Sequence, residues 1–316
     1  MRQPTAPRGT HPRSSTEVSM KKSCIAVIAG TRPEIVKLAP VYRALRTHEA
    51  MDVHWVHTGQ HADMAWNMLR CFGIVPDALL ERSGSTLEEF SAGCRHQLDT
   101  LGGRMGWEAC IVQGDTESAF LGALSGFYGR VPVVHVEAGL RTNDLQRPFP
   151  EEGLRQMISR IAALHMAPTE RARQALLAEG IDPRRIRVTG NTVVDAQLWV
   201  CGLYGIRRQQ VPERGHILVT AHRREHWGDE MEQAFRAVAD IAAAYPATRV
   251  LFPVHLNPAV QKPARAILGR LPNVSLVAPL DYLDMQRALA NARLLLTDSG
   301  GLQEEAPTFG VPTLVL

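Results

Sequence analysis

Short uninterrupted apolar runs alternate with amphipathic stretches along most of the sequence, and that alternation leaves few folds open. The runs Cys24–Ala29, Val53–His57, Ala109–Val112, Val131–His135 and Ala163–Ala167 are rich in β-branched or small apolar residues. Each stops at a Gly, a Pro or a polar turn. Between them, Glu34–Arg46, Met64–Cys71, Thr86–Leu101 and Glu117–Tyr128 read as helices. Strands apolar on both faces, each followed by a helix, predict a parallel sheet covered on both sides.

The rhythm restarts after Arg187–Thr189. The segment GNTVVDA at 190–196 and an Arg- and Gln-rich loop at 205–215 lead into strand Ile217–Thr220 and helix Glu230–Tyr245. Strands Arg249–Pro253 and Val274–Val277, helix Tyr282–Asn291, and strands Leu294–Thr297 and Thr313–Leu316 follow. No fixed-period repeat is visible. The chain of 316 residues suits two α/β domains of about 100–200 residues each. The expected division is a disordered tail over 1–19, a first domain over 20–189 and a second over 190–316. Two such domains imply a ligand cleft between them, at the carboxyl ends of the strands.

Composition narrows the function classes. The net charge of +3 conceals a tail: residues 1–22 carry Arg2, Arg8, Arg13, Lys21 and Lys22 against Glu17 alone, which leaves the remainder at −1. A near-neutral body argues against a nucleic-acid surface, which needs a clustered basic face. The tail has no apolar run for a secretory signal. It reads as disordered, with an organelle presequence as the alternative and Met20 as a possible true start. No run approaches the ~18 apolar residues of a membrane span. The five cysteines, Cys24, Cys71, Cys94, Cys110 and Cys201, form no CxxC and ask for no oxidising compartment, so a cytoplasmic address follows. The last run, GVPTLVL, ends on an apolar strand with no covering helix, as in a truncated product or an edge that something else covers.

Polar motifs stand just past the strand ends. GTRPEIVKLAP at 30–40 leads a Gly and a Thr into a helix with Pro33 in its first turn. The free N–H groups there, with Arg32 and Lys37, suit a phosphate, although a plain capped helix with two solvated cations has the same pattern. HTGQH at 57–61 has histidines four apart, but the spacing crosses from strand to loop and no acidic or Cys ligand follows. Cleft-lining or packing roles fit it better than metal binding. QGDTES at 113–118, HVEAGLRT at 135–142 and PFPEE at 148–152 put Asp115, Glu137 and Glu151 at or after successive strand ends. Converging carboxylates can shift one another's pKa and serve as acid and base; helix-capping carboxylates are the plainer alternative. AHRREHWG at 221–228 groups His222, Arg223 and Arg224, fit for a diphosphate or a leaving group. His255 in PVHLNP is either functional or simply packed. TDSGGLQEEAPTFGVP at 297–312 offers Ser299, Gly300 and Gly301 as a turn whose backbone can approach a phosphate. Glu304 and Glu305 follow at the reach of ribose hydroxyls.

GTRPE, TGQH, QGDT, HVEAGLRT, PFPEE, GNTVVDA, AHRRE and DSGGLQEEAP, in this order from about Lys21 to Leu316, closely resemble the bacterial non-hydrolysing UDP-N-acetylglucosamine 2-epimerases. The resemblance implies two Rossmann-like domains facing a cleft, the GT-B arrangement. It implies interconversion of UDP-GlcNAc and UDP-ManNAc through loss of the C2 proton, elimination of UDP to 2-acetamidoglucal, and re-addition. By resemblance, Asp115, Glu137 and Glu151 handle the proton and His222 meets the phosphates. Arg32 stands by the diphosphate, and Lys37 shares its helix. Ser299, Gly300 and Gly301 form the phosphate-binding turn, and Glu305 takes the ribose. The resemblance implies no metal or redox cofactor, a homodimer, and a product that feeds cell-surface polysaccharide synthesis. The family continues past the position of Leu316, so the second domain reads as incomplete. Met285 stands where an aromatic often lies near the uracil. Gln60 is kept where some members bind an allosteric UDP-GlcNAc, with Asp63 three positions on. The alternatives are a hydrolysing relative that releases ManNAc and UDP, a glycosyltransferase of the same architecture, and a non-catalytic nucleotide-sugar binder.

Overall fold

The computed structural model describes residues 21–208, 215–221 and 228–316. The expected tail over 1–19 and His222, Arg223 and Arg224 lie outside the described residues.

Two parallel sheets carry the fold, as the alternation of runs predicts. The first contains β1 (Ser23–Ala29), β2 (Met51–His57), β3 (Ala78–Leu79), β4 (Ala109–Gln113), β5 (Val133–Val136), β6 (Leu164–Ala167) and β7 (Ile186–Val188), in the order β3-β2-β1-β4-β5-β6-β7. Its connections run through α1 (Arg32–Arg46), α2 (Ala62–Cys71), α3 (Leu87–Met105), α4 (Glu117–Tyr128), α5 (Glu151–Ile161) and α6 (Glu170–Ala178), and α7 (Thr192–Tyr204) leads on to the second sheet. That sheet has the order β10-β9-β8-β11-β12, from β8 (His216–Thr220), β9 (Val250–Pro253), β10 (Val274–Val277), β11 (Ala292–Thr297) and β12 (Thr313–Val315). Helices α8 (Asp229–Ala244), α9 (Pro258–Leu268), α10 (Tyr282–Ala290) and α11 (Gly300–Glu305) join its strands.

The period of two along β1 shows why its sequence is apolar throughout. Ile25, Val27 and Ala29 join one core layer with Trp55 of β2 and Ile35 and Leu38 of α1. Ala26 and Ile28 join the opposite layer with Phe90, Cys94 and Leu98 of α3. A strand buried on both faces favours apolar side chains at successive positions. Phe235 and Phe252 centre the second domain, with ring centroids 5.4 Å apart.

Helix α7 couples the two units. Val193, Ala196 and Val200 pack into the layer built on α1, whereas Cys201 packs with Leu289, Leu295 and Leu302 of the second unit.

Both sheets reverse strand order once, between β1 and β4 and between β8 and β11. Ligands of open α/β sheets bind at such switch points, beyond the carboxyl ends of the strands. Residues 30–32, 114–115, 221 and 298–301 follow β1, β4, β8 and β11 respectively, so three of the sequence motifs, and the first residue of a fourth, stand at the two switch points.

The first sheet also buries His57, His135 and His165 completely. Burial pushes the His135 imidazole down to about 3 from its ordinary 6.5. The unfolded chain therefore takes up a proton below about pH 6.5 that the folded chain refuses, and stability is lost as pH falls. At about 1.4 kcal/mol per pH unit, this one residue accounts for about 2 kcal/mol between pH 7 and pH 5. Urea unfolding at the two pH values checks this: His135→Gln is expected to lose about 2 kcal/mol less on acidification than the wild type.

Candidate active site

The cleft side of the first domain is built from three strand ends. After β1, Glu34 in the first turn of α1 is fully buried. One carboxylate oxygen accepts from the Gly30 and Thr31 backbone N–H groups at 3.0 and 2.8 Å, and the other accepts from the Thr116 hydroxyl at 2.8 Å. Thr116 is the N-cap of α4 and follows Asp115. Glu34 thus locks the GTRPE turn to the QGDT turn, and burial pushes its carboxyl up to about 7. Glu34→Gln keeps an acceptor for the two N–H groups and offers its amide to Thr116, so its stability is expected within about 1 kcal/mol of wild type. Glu34→Ala leaves buried donors unpaired and costs about 2–4 kcal/mol, as read by denaturant unfolding.

Asp115 takes the position after Gly114, whose φ of +71° suits glycine. Its carboxylate accepts from the Arg155 guanidinium, which also reaches Glu152 at 3.3 Å. After β5, Glu137 sits at φ +62°, a left-handed conformation uncommon outside glycine and met most often where function requires it. Gln113 donates to Glu137 at 3.2 Å, and the Lys37 ammonium pairs with the same carboxylate oxygen. Two residues on, Gly139 has φ +92°, and a Cβ there would stand 2.3 Å from the Ala172 carbonyl oxygen, so only glycine fits.

Lys37 also reaches Glu304 of α11 at 3.1 Å. That contact joins the two domains. Burial lowers the Lys37 pKa, but Glu137 and Glu304 outweigh it and the net shift is upward. Burial raises the Glu137 carboxyl, with Lys37 opposing.

Arg32, Pro33, Val36 and Lys37 of α1 line a cavity of about 450 Å³ with Asp115, Val193, Tyr282, Gly300, Gly301, Glu304 and Glu305. Both domains contribute to it. Arg32 is exposed at its mouth and makes no ion pair among the described residues. Ser299 is the N-cap of α11, and its own N–H is taken by the Thr297 hydroxyl at 2.9 Å. Glu305 is buried, and burial pushes its carboxyl up to about 7. Glu151 opens α5, where a helix N-terminus favours an anion. It lines a smaller cavity of about 240 Å³ with Thr31, Gln60, His61, Thr116 and Pro150. Asp115 lines both spaces.

The fold therefore gathers Arg32, Lys37, Asp115, Gly300, Gly301 and Glu305 around one cavity, with Glu137 joined through Lys37 and Glu151 beyond Asp115. Sequence reasoning overlooked Arg155, Glu34 and Gln286. Arg155 carried one usable signal, its position four residues after Glu151 on the same helix face.

A sequence profile described as UDP-N-acetylglucosamine 2-epimerase matches residues 43–316. The chain is 41% identical over 309 residues to a UDP-N-acetylglucosamine 2-epimerase of Yersinia pestis, covering 92% of this chain and 81% of that protein. It is likewise 41% identical over 301 residues to the one of Bacillus subtilis, covering 94% of this chain and 79% of the other. Among solved structures, the UDP-GlcNAc 2-epimerase of Neisseria meningitidis bound to UDP-GlcNAc superposes with a TM-score of 0.82 at 36% identity, over 93% of this chain and 82% of that one.

Proposed function

Because the chain belongs to the UDP-N-acetylglucosamine 2-epimerase family, we propose that it interconverts UDP-GlcNAc and UDP-ManNAc without net hydrolysis. The observation that carries this reading is the single cavity where Asp115 meets Arg32, Lys37, Gly300, Gly301 and Glu305. Cations and a glycine turn suit a diphosphate, a buried acid suits a ribose, and carboxylates stand where the sugar would extend. The N. meningitidis relative, whose structure holds UDP-GlcNAc, supports the same ligand class.

A carboxylate of the set Asp115, Glu137 and Glu151 takes the C2 proton. The C2–H electron pair forms the C1=C2 bond, the C1–O bond breaks, and UDP leaves as 2-acetamidoglucal forms. Return of a proton to the opposite face of C2 and re-addition of the UDP oxygen at C1 give the epimer. No electrons are gained or lost. The C2 proton is only weakly acidic, so the base must be positioned and the departing diphosphate stabilised. Lys37 and Arg32 serve the diphosphate, together with the Ser299–Gly301 turn; by resemblance His222 joins them. Glu137, held by Lys37 and Gln113, has a raised pKa that suits an acid able to return the proton.

The proposal includes a cytoplasmic homodimer, as the family resemblance of the motifs implies. Anion-exchange chromatography of the products tests the reading. UDP-ManNAc, formed to equilibrium with no free UDP, is the expected outcome. Free ManNAc with stoichiometric UDP would assign the chain to the hydrolysing reaction instead.

A further inference from the structure

Behind the cavity runs a chain of buried amides that the reaction itself does not use. Gln197 of α7 and Gln286 of α10 are both fully buried. The Gln197 amide nitrogen donates to the Gln286 carbonyl oxygen at 2.7 Å, and the Gln286 amide nitrogen donates to the Glu305 carboxylate at 2.5 Å. From these contacts we infer that Gln286 is a positioning residue for nucleotide recognition, holding the Glu305 carboxylate in the orientation that accepts a ribose diol.

The chain of bonds has a direction. A carboxylate only accepts, so Gln286 must present its NH2 to Glu305 and its oxygen the other way. The Gln197 donor, placed on that oxygen, makes the flipped amide unfavourable. With one Glu305 oxygen tied from behind, the rotation of the carboxyl group is set and the remaining acceptor capacity is turned to the cavity that Glu305 lines. A buried polar group without such a tie has a large desolvation cost and no fixed orientation. Two glutamines buried in full at a domain junction have no comparable reason in packing, where apolar side chains of the same volume would serve.

Protonation supplies a second observable. The groups around Glu305 are Arg32 and Lys37 of α1, Cys201 of α7, Tyr282 of α10 and the neighbouring Glu304. Burial raises Glu305 to about 7, and the Gln286 bond is the largest influence pulling it down. Removal of Gln286 therefore keeps Glu305 protonated to higher pH, where a neutral acid holds hydroxyls less well.

This inference rests on the ribose role given to Glu305 above, and the experiment separates the two. Binding of UDP and of 2′-deoxy-UDP is measured by calorimetry between pH 6 and pH 9 for the wild type, Glu305→Gln, Gln286→Met and Gln197→Met. The wild type is expected to prefer UDP by about tenfold or more, in line with a hydrogen bond to a charged group, with the preference growing as pH rises through 7. Gln286→Met is expected to lose most of that preference at pH 7 and to recover it only in part at higher pH, where Glu305 is ionised but no longer held in orientation. Gln197→Met is expected to change it in the same direction by less, and it carries the test if Gln286→Met does not fold. If Glu305→Gln loses the preference while both glutamine variants keep the wild-type ratio and pH profile, the positioning role is overturned and the ribose reading stands. If the wild type does not distinguish the two nucleotides, the ribose reading fails and the inference fails with it.

Discussion

Asp115→Asn is expected to lower turnover of UDP-GlcNAc by about 10²–10⁴-fold, the usual contribution of a positioned general acid or base, while UDP affinity stays at the wild-type level or rises slightly. The amide keeps the shape and an oxygen acceptor for Arg155, but it cannot take a proton. The groups that would hold the nucleotide, Arg32, Lys37, Gly300, Gly301 and Glu305, are untouched. Loss of a negative charge beside the proposed diphosphate site cannot weaken anion binding electrostatically. In barrier terms the loss is about 3–5 kcal/mol. Steady-state kinetics and UDP calorimetry read the two halves. Unchanged turnover would remove Asp115 from the proton transfers, and lost UDP affinity would make it a structural residue of the cleft.

Lys37→Met is expected to be the most destabilising single change at the cleft. Lys37 and Glu137 each keep about 12% side-chain exposure, so the thioether leaves a desolvated carboxylate without its cation. Breaking such a pair costs about 3–5 kcal/mol. Glu304 is less affected, because at 34% exposure water can solvate it. Burial already raises the Glu137 carboxyl, and loss of Lys37 raises it further. A carboxyl whose folded pKa lies above its unfolded value costs stability as pH rises, so the penalty is larger at pH 8 than at pH 6. Addition of Glu137→Gln removes the orphaned charge and restores most of the loss. Urea unfolding of the wild type, both single variants and the double variant forms the cycle. Additive losses would mean that the two residues do not act as a pair.

Much of this architecture was legible in the sequence, for identifiable reasons. Strands such as Cys24–Ala29 and Ile217–Thr220 stand out because burial on both faces of a parallel strand favours a nearly continuous apolar run. Other elements were hidden. Helix α7 shows no clear amphipathic period, because Val193, Ala196 and Val200 join the α1 layer and Cys201 the second unit, while Val194 and Leu198 are apolar yet exposed. Helix α9 carries Pro263 within its span, and an internal proline argues against a helix. The two-residue β3 is too short to show any pattern. Glu151, expected at or after a strand end, opens α5.

At the cleft, residues at strand ends were legible because topology places them at the switch points. Their partners were not. Arg155 meets Asp115 across 40 positions, Thr116 meets Glu34 across 82, and Gln197 meets Gln286 across 89. Such pairings follow from the packing of α1, α4, α5, α7 and α10, and no local pattern encodes them. The pairing of Lys37 with both Glu137 and Glu304 is of the same kind, since it exists only when the two domains face each other.

The most direct test of the central claim is a proton NMR time course of UDP-GlcNAc with the enzyme in D2O. The account predicts loss of the C2 proton signal to deuterium, with UDP-ManNAc resonances growing in and no accumulation of free UDP. An unchanged C2 signal in enzyme shown to bind UDP-GlcNAc would contradict it, because the cleft would then hold the nucleotide sugar without removing the proton on which the proposed chemistry depends.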